Sequence, residues 1–90
     1  MNDTLALSGV IDHTSVLALI KDGAGYLSSV NSSSFVVDWA QVTYANSAAL
    51  AMLLQWTRQV EGAGKTLVSQ NAPEFLVQLA RLSQLEFLFS

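Results

Sequence analysis

The chain has no cysteine, a single histidine, a single proline and only four basic residues in 90. Each scarcity closes a class of function. Without cysteine there is no disulfide, no thiolate metal site and no cysteine nucleophile, which fits a reducing compartment. Lys21, Arg58, Lys65 and Arg81 stand against seven acids. Four scattered cations form no basic stripe along a phosphate backbone, which argues against a nucleic-acid partner. The first ten residues lack a basic segment followed by an apolar run, and no apolar stretch nears the ~18 residues of a membrane span. The chain therefore reads as cytoplasmic. His13 stands alone beside a helix start, with no second histidine or carboxylate cluster at metal-ligand spacing. The pairs Gly23/Gly25 and Gly62/Gly64 lack the Lys-Ser/Thr that follows a phosphate loop. Neither a metal nor a cofactor is expected, and no enzyme activity.

What is abundant is apolar surface. Hydrophobic residues make up 51% of the chain and charged residues 12%, about half the usual ~25% charged share. A single domain, residues 1–90, buries only roughly 60–65% of its unfolded surface. Some apolar surface is therefore left to face a protein partner.

The pattern alternates strand and helix. Thr4–Ser8 alternates and ends at Gly9, which predicts a short strand with Leu5 and Leu7 on one face. Asp12 or Thr14 suits the N-cap of a helix running through Val16, Leu17 and Ile20 to about Ser29, weakened but not ended by Gly23-Ala24-Gly25. After a serine-rich loop, Phe35–Trp39 reads as a buried strand and Gln41–Asn46 as a connection. Ser47–Glu61 is a second helix, stopped at Gly62-Ala63-Gly64, and Lys65–Ser69 a third strand. Pro73 suits the first turn of a third helix over Ala72–Leu82, and Glu86–Phe89 reads as a last short strand. This β-α-β-α-β-α order predicts an α/β sheet with parallel neighbours.

The second helix carries the functional signal. Ser47, after a strand and before a helix, is by default an N-cap, its oxygen accepting from an N–H two or three residues on. At about 100° per residue, Leu50, Leu53 and Leu54 fall on one stripe, expected against the sheet. Met52 then projects away with Ala48, Gln55 and Gln59, and Trp56 follows one turn later. No charge breaks that face before Arg58. Either another element covers Met52 and Trp56, or the face docks a partner, since Met and Trp are enriched at interfaces.

Two motifs match a known family. Asp38-Trp39-Ala40-Gln41-Val42 followed by Asn46-Ser47-Ala48-Ala49-Leu50 resembles the D-L-S-x-V…D-S-S-G-L signature of STAS domains. Upstream, Leu7-Ser8-Gly9-Val10-Ile11-Asp12 resembles their L-x-G-E-L-D. The resemblance implies a small mixed, mostly parallel sheet of about four strands with helices packed largely on one side, and a binding module. It is strongest with MlaB-type domains, accessory subunits of bacterial phospholipid ABC transporters. Those imply binding to the cytoplasmic ATPase subunit, and association with the membrane only through the transporter complex. Partner contact is then expected at Ser47, Ala48, Met52, Gln55, Trp56 and Gln59, with Asp12 and Asn46 as motif neighbours. The alternative is an anti-sigma factor antagonist, in which a partner kinase phosphorylates the serine at the Ser47 position. Asn46 stands where the signature has Asp, and Ala48-Ala49 replaces its small glycine-containing pair. The first change removes a carboxylate that activates a hydroxyl, whereas docking needs only shape and apolar area.

Overall fold

The computed structural model describes residues 2–89, Asn2 by its backbone alone. Met1 and Ser90, the ends of the expected domain, lie outside the described residues. The order is β1 (Asn2–Ile11), α1 (Val16–Ser29), β2 (Ser34–Ala45), α2 (Ser47–Gly62), β3 (Thr66–Gln70), α3 (Glu74–Leu82) and a 3₁₀ turn, Glu86–Phe89.

Alternation decides which face of the sheet is covered. In β2, Phe35, Val37 and Trp39 are buried, and the register partners of Phe35 and Val37 on β3, Leu67 and Ser69, are half-buried. Leu7 and Ile11 of β1 point the same way into the core. Thr4, Ala6, Ser8, Thr66, Val68 and Gln70 occupy the opposite face and are exposed. The helices therefore pack on one side, as the resemblance implies. The strand order is β1-β2-β3 with both pairs parallel.

Two expectations about the sheet are corrected. The fourth strand is absent among the described residues, and no antiparallel pair makes the sheet mixed. Gln84 at φ 59° turns the chain after α3, the Leu85 amide bonds the Ala80 carbonyl at 2.7 Å, and the tail closes as a 3₁₀ turn. This buries Leu88 and sets the Phe89 ring edge-on to Trp39 at 6.1 Å, a T-shaped contact aromatic quadrupoles favour. The second strand also runs on past Trp39 to Ala45, through the stretch expected to be a connection. It does so by bulging. Between Ala6↔Asp38 and Ser8↔Gln41, and again between Gly9↔Val42 and Val10↔Tyr44, β2 carries an extra residue. β3 pairs only as far as Asp38↔Gln70. Beyond it, β1 and β2 form a two-stranded ribbon whose far end launches α1 and α2.

The helices pack closely. α1 runs unbroken through Gly23, and a Cβ there would lie 2.5 Å from Cε2 of Trp56 and nearer still to Cζ2. The glycine is thus what admits the indole between α1 and α2, and Trp56 Nε1 donates to the Ile20 carbonyl at 3.2 Å. Pro73 is the N-cap of α3, with extended ψ of 138°, one position outside the helix rather than in its first turn. Its missing N–H costs nothing there either.

Candidate functional site

The far end of the ribbon brings the two motif segments together. The Asn46 amide donates to the Ile11 carbonyl at 3.2 Å, so the start of α2 lies beside the turn that follows β1. That turn is tied by Asp12. Its Oδ1 accepts from the Thr14 hydroxyl at 2.6 Å, the Thr14 amide at 2.9 Å and the Ser15 amide at 3.3 Å. The Thr14 hydroxyl, then the Thr14 amide, hold the Asp12 carboxyl below the usual aspartate range. Ser15 formally precedes α1 without a side-chain cap bond, while its hydroxyl donates to the Val10 carbonyl at 2.9 Å. Asp12 therefore organises a turn, and its carboxylate is committed to that turn.

Asn46, not Ser47, caps α2. Its backbone is extended and its Oδ1 accepts from the Ala48 amide at 2.9 Å. Asparagine and serine are equally good caps, and the asparagine comes one residue earlier. Ser47 is thereby released from capping: it is the first helical residue and is exposed.

The outer face of α2 differs from the expected one. Met52 and Trp56 are 0% and 1% exposed, so neither projects to solvent. The expected stripe assumed one buried side facing the sheet, whereas α2 is covered by α1 on one flank as well as by the sheet, α3 and the closing 3₁₀ turn. Ala49, Leu50, Met52, Leu53, Trp56, Thr57 and Val60 form one broad buried arc, and Leu54 is only half-buried at its margin. Gln59, also half-buried, donates from Nε2 to the Ala24 carbonyl at 2.9 Å and so ties α2 to α1. What faces solvent is Ser47, Ala51, Gln55 and Arg58, with Glu61 and Gly62 at the end of the helix, flanked by half-buried Ala48 and Leu54. Sequence reasoning missed Ala51, although its i, i+4 spacing from Ser47 and Gln55 was the available signal. Leu17, 75% exposed on the first turn of α1, was missed as well.

Among the described residues no group of three or more His, Cys, Asp or Glu is placed to hold a metal ion. No helix among them is long and apolar enough to cross a membrane. The site thus offers a small helix face, uncharged as far as Arg58, with a hydroxyl at its head.

Comparison with known proteins identifies the family and the fold. The family described as "Mlab, STAS domain" matches residues 2–89. No curated protein sequence matches the chain. The anti-sigma factor antagonist SpoIIAA in its unphosphorylated form superposes with a TM-score of 0.80 at 13% identity, over 99% of this chain and 77% of that one. The Bacillus cell fate determinant SpoIIAA in its phosphorylated form gives 0.74 at 13% identity, over 99% of this chain and 80% of that one. A structure described as Mglu gives 0.62 at 19% identity, over 81% of this chain and 18% of that one. At these identities the structural likeness shows the fold.

Proposed function

This chain belongs to the MlaB-type STAS domain family, and on that premise we propose that it is a single-domain, noncatalytic subunit that binds the cytoplasmic ATPase of a phospholipid-transport ABC system. It supports the assembly or activity of that ATPase, and reaches the membrane through the complex. The observation that carries the reading is the outward stripe Ser47–Ala51–Gln55, uncharged until Arg58 and headed by the STAS motif residues Asn46 and Ser47. Small residues let a partner helix approach closely, and the absence of Lys and Glu avoids stranding a charge on desolvation. Ala48 lies at the margin of this contact and Leu17 extends it. Met52, Trp56 and Gln59 support it from beneath by fixing α2 against α1.

Co-expression with the ATPase subunit of a phospholipid-transport ABC system from the same genome tests the reading. The wild-type chain co-purifies with the ATPase, and Ala51→Glu, at an exposed position that leaves the core intact, releases it. Retention of a folded Ala51→Glu chain at wild-type yield refutes this face as the contact.

A second reading is favoured by one observation, the exposure of Ser47 in the first turn of α2. In that reading the chain is an anti-sigma factor antagonist and its partner is a kinase that phosphorylates Ser47. A phosphate adds about −1.5 to −2 charges to a face otherwise uncharged as far as Arg58 and prevents docking by desolvation cost. Intact mass after incubation with a cognate kinase and ATP decides it: an unshifted mass excludes this reading.

A further inference from the structure

Among the described residues β1 is an edge strand, paired with β2 on one side and with no strand on the other. Its Thr4 carbonyl accepts the Tyr26 hydroxyl at 3.3 Å, an exposed bond that an incoming strand would share or displace. Natural sheets usually shield such an edge with lysine, proline, bulges or short length. Here the strand is ten residues long, it holds neither lysine nor proline, and both extra residues of the bulged ladder fall on β2. The opposite edge, β3, has only five residues, and the closing 3₁₀ turn packs against it.

Along the free edge runs a groove of about 160 Å³, lined by four consecutive β1 residues, Leu5 to Ser8, and by Leu19, Asp22, Gly23 and Trp56. The groove thus runs past the helix-side leucines Leu5 and Leu7 and their open-face neighbours Ala6 and Ser8. The edge therefore asks for a strand, and the groove for apolar side chains beside it.

The sequence of the edge identifies which strand. Thr4-Leu5-Ala6-Leu7-Ser8 reads the same in both directions: hydroxyl, leucine, alanine, leucine, hydroxyl. A two-fold axis through Ala6 then pairs this edge with its own copy antiparallel. Leu5 meets Leu7 on the helix side, where the groove lies, and Thr4 meets Ser8 on the open face. The register preserves the pleat, because each pair joins residues of one face. Like-with-like pairing of this kind is what a two-fold interface requires, since one patch must fit itself. Charge is compatible too. The only charged residues of α1 are the adjacent Lys21 and Asp22, so two α1 helices brought side by side meet with balanced charge. We propose that β1 is a self-pairing edge, through which two copies of this chain join their sheets into one six-stranded sheet with the Ala6 residues on the axis. The groove meets α2 only at buried Trp56 and not at the exposed Ser47–Ala51–Gln55 stripe, so the two proposals are tested by different substitutions.

The test is sedimentation equilibrium from low-micromolar to millimolar chain, with variants confined to exposed positions. The expected result is a mass rising from 9.7 kDa toward twice that value. Thr4→Lys with Ser8→Lys opposes like charges across the axis and weakens the dimer at least about tenfold. Thr4→Lys with Ser8→Glu opposes unlike charges and restores it in a salt-sensitive way. In a chain otherwise free of cysteine, Ala6→Cys gives a disulfide-linked dimer on mild oxidation, whereas Val68→Cys on the same open face does not. Circular dichroism on each variant verifies the fold. A monomer at every concentration overturns the proposal and leaves the edge to a strand of another protein. A dimer equally stable in the Lys/Lys and Lys/Glu variants overturns it by placing the interface elsewhere.

Discussion

Gly23→Ala sets two physical effects against each other, and the structure decides the sign. In an exposed helix, replacing glycine by alanine stabilises by about 1 kcal/mol through backbone entropy. At Gly23 the added Cβ lands on the Trp56 indole, 2.5 Å from Cε2 and 2.9 Å from Nε1. Neither flank gives easily. The indole is 1% exposed and held by its bond to the Ile20 carbonyl, and α1 is held by Gln59. Overpacking of this kind costs about 1–3 kcal/mol. If the indole turns to relieve it, a buried N–H loses its partner at a cost of about 1–3 kcal/mol. The net expectation is a loss of up to about 2 kcal/mol after the helix gain is subtracted. In a domain this size that lowers Tm by roughly 4–8 °C per kcal/mol. Gly25, two residues on, is the control, since nothing lies within 4 Å of its Cβ position. Gly25→Ala therefore raises stability by up to about 1 kcal/mol. Urea titration followed by far-UV circular dichroism measures both. Stabilisation of the same size by both substitutions would refute the packing of Trp56 onto Gly23.

Three further predictions follow from the same packing. Trp39 and Trp56 are both buried, so native emission is blue-shifted and resists acrylamide quenching; strong quenching of the folded chain would put an indole on the surface. Met52→Glu places a carboxylate in a fully buried site and unfolds the chain or costs more than about 3 kcal/mol, whereas Ala51→Glu, one residue away and exposed, changes stability by less than about 0.5 kcal/mol. Asp12 has a carboxyl pKa lowered in the fold by Thr14; its contribution is therefore complete above the ordinary aspartate value and is lost as pH falls through the lowered one. Asp12→Asn should narrow the gap between stability at neutral pH and at acid pH, as read by urea midpoints, and an unchanged gap contradicts a role for that carboxylate.

The order of elements was legible because each carries a clean period: alternation in Thr4–Ser8 and Phe35–Trp39, three-to-four spacing in the helices. The extension of β2 to Ala45 was hidden because Gln41 to Tyr44 are mostly exposed on a ribbon only two strands wide, so they lack the apolar signature of a covered strand. The cap was misplaced by one residue because Asn46 and Ser47 are equivalent by propensity, and only the bond to the Ala48 amide separates them. The side of Met52 and Trp56 was misread for a sharper reason. A helix apolar nearly all round is buried on more than one side, and the sign of its second neighbour was Gly23, a mid-helix glycine whose cost had no local benefit. Ser47, Ala48 and Gln55 were named from the motif and the face, and the structure leaves Ser47 and Gln55 exposed and Ala48 half-buried. The identity of the partner is written in the shape and chemistry of two surfaces, and one chain carries only half of that.

The central claim is that the outer face of α2 docks the ATPase, and binding affinity between the two purified proteins tests it most directly. Titration calorimetry compares the wild-type chain, Ala51→Arg and Val68→Arg, the last placing the same charge on the open face of the sheet. The expected result is wild-type affinity for Val68→Arg and a loss of at least about tenfold, or roughly 1.4 kcal/mol, for Ala51→Arg. Equal affinity for all three folded chains contradicts the claim.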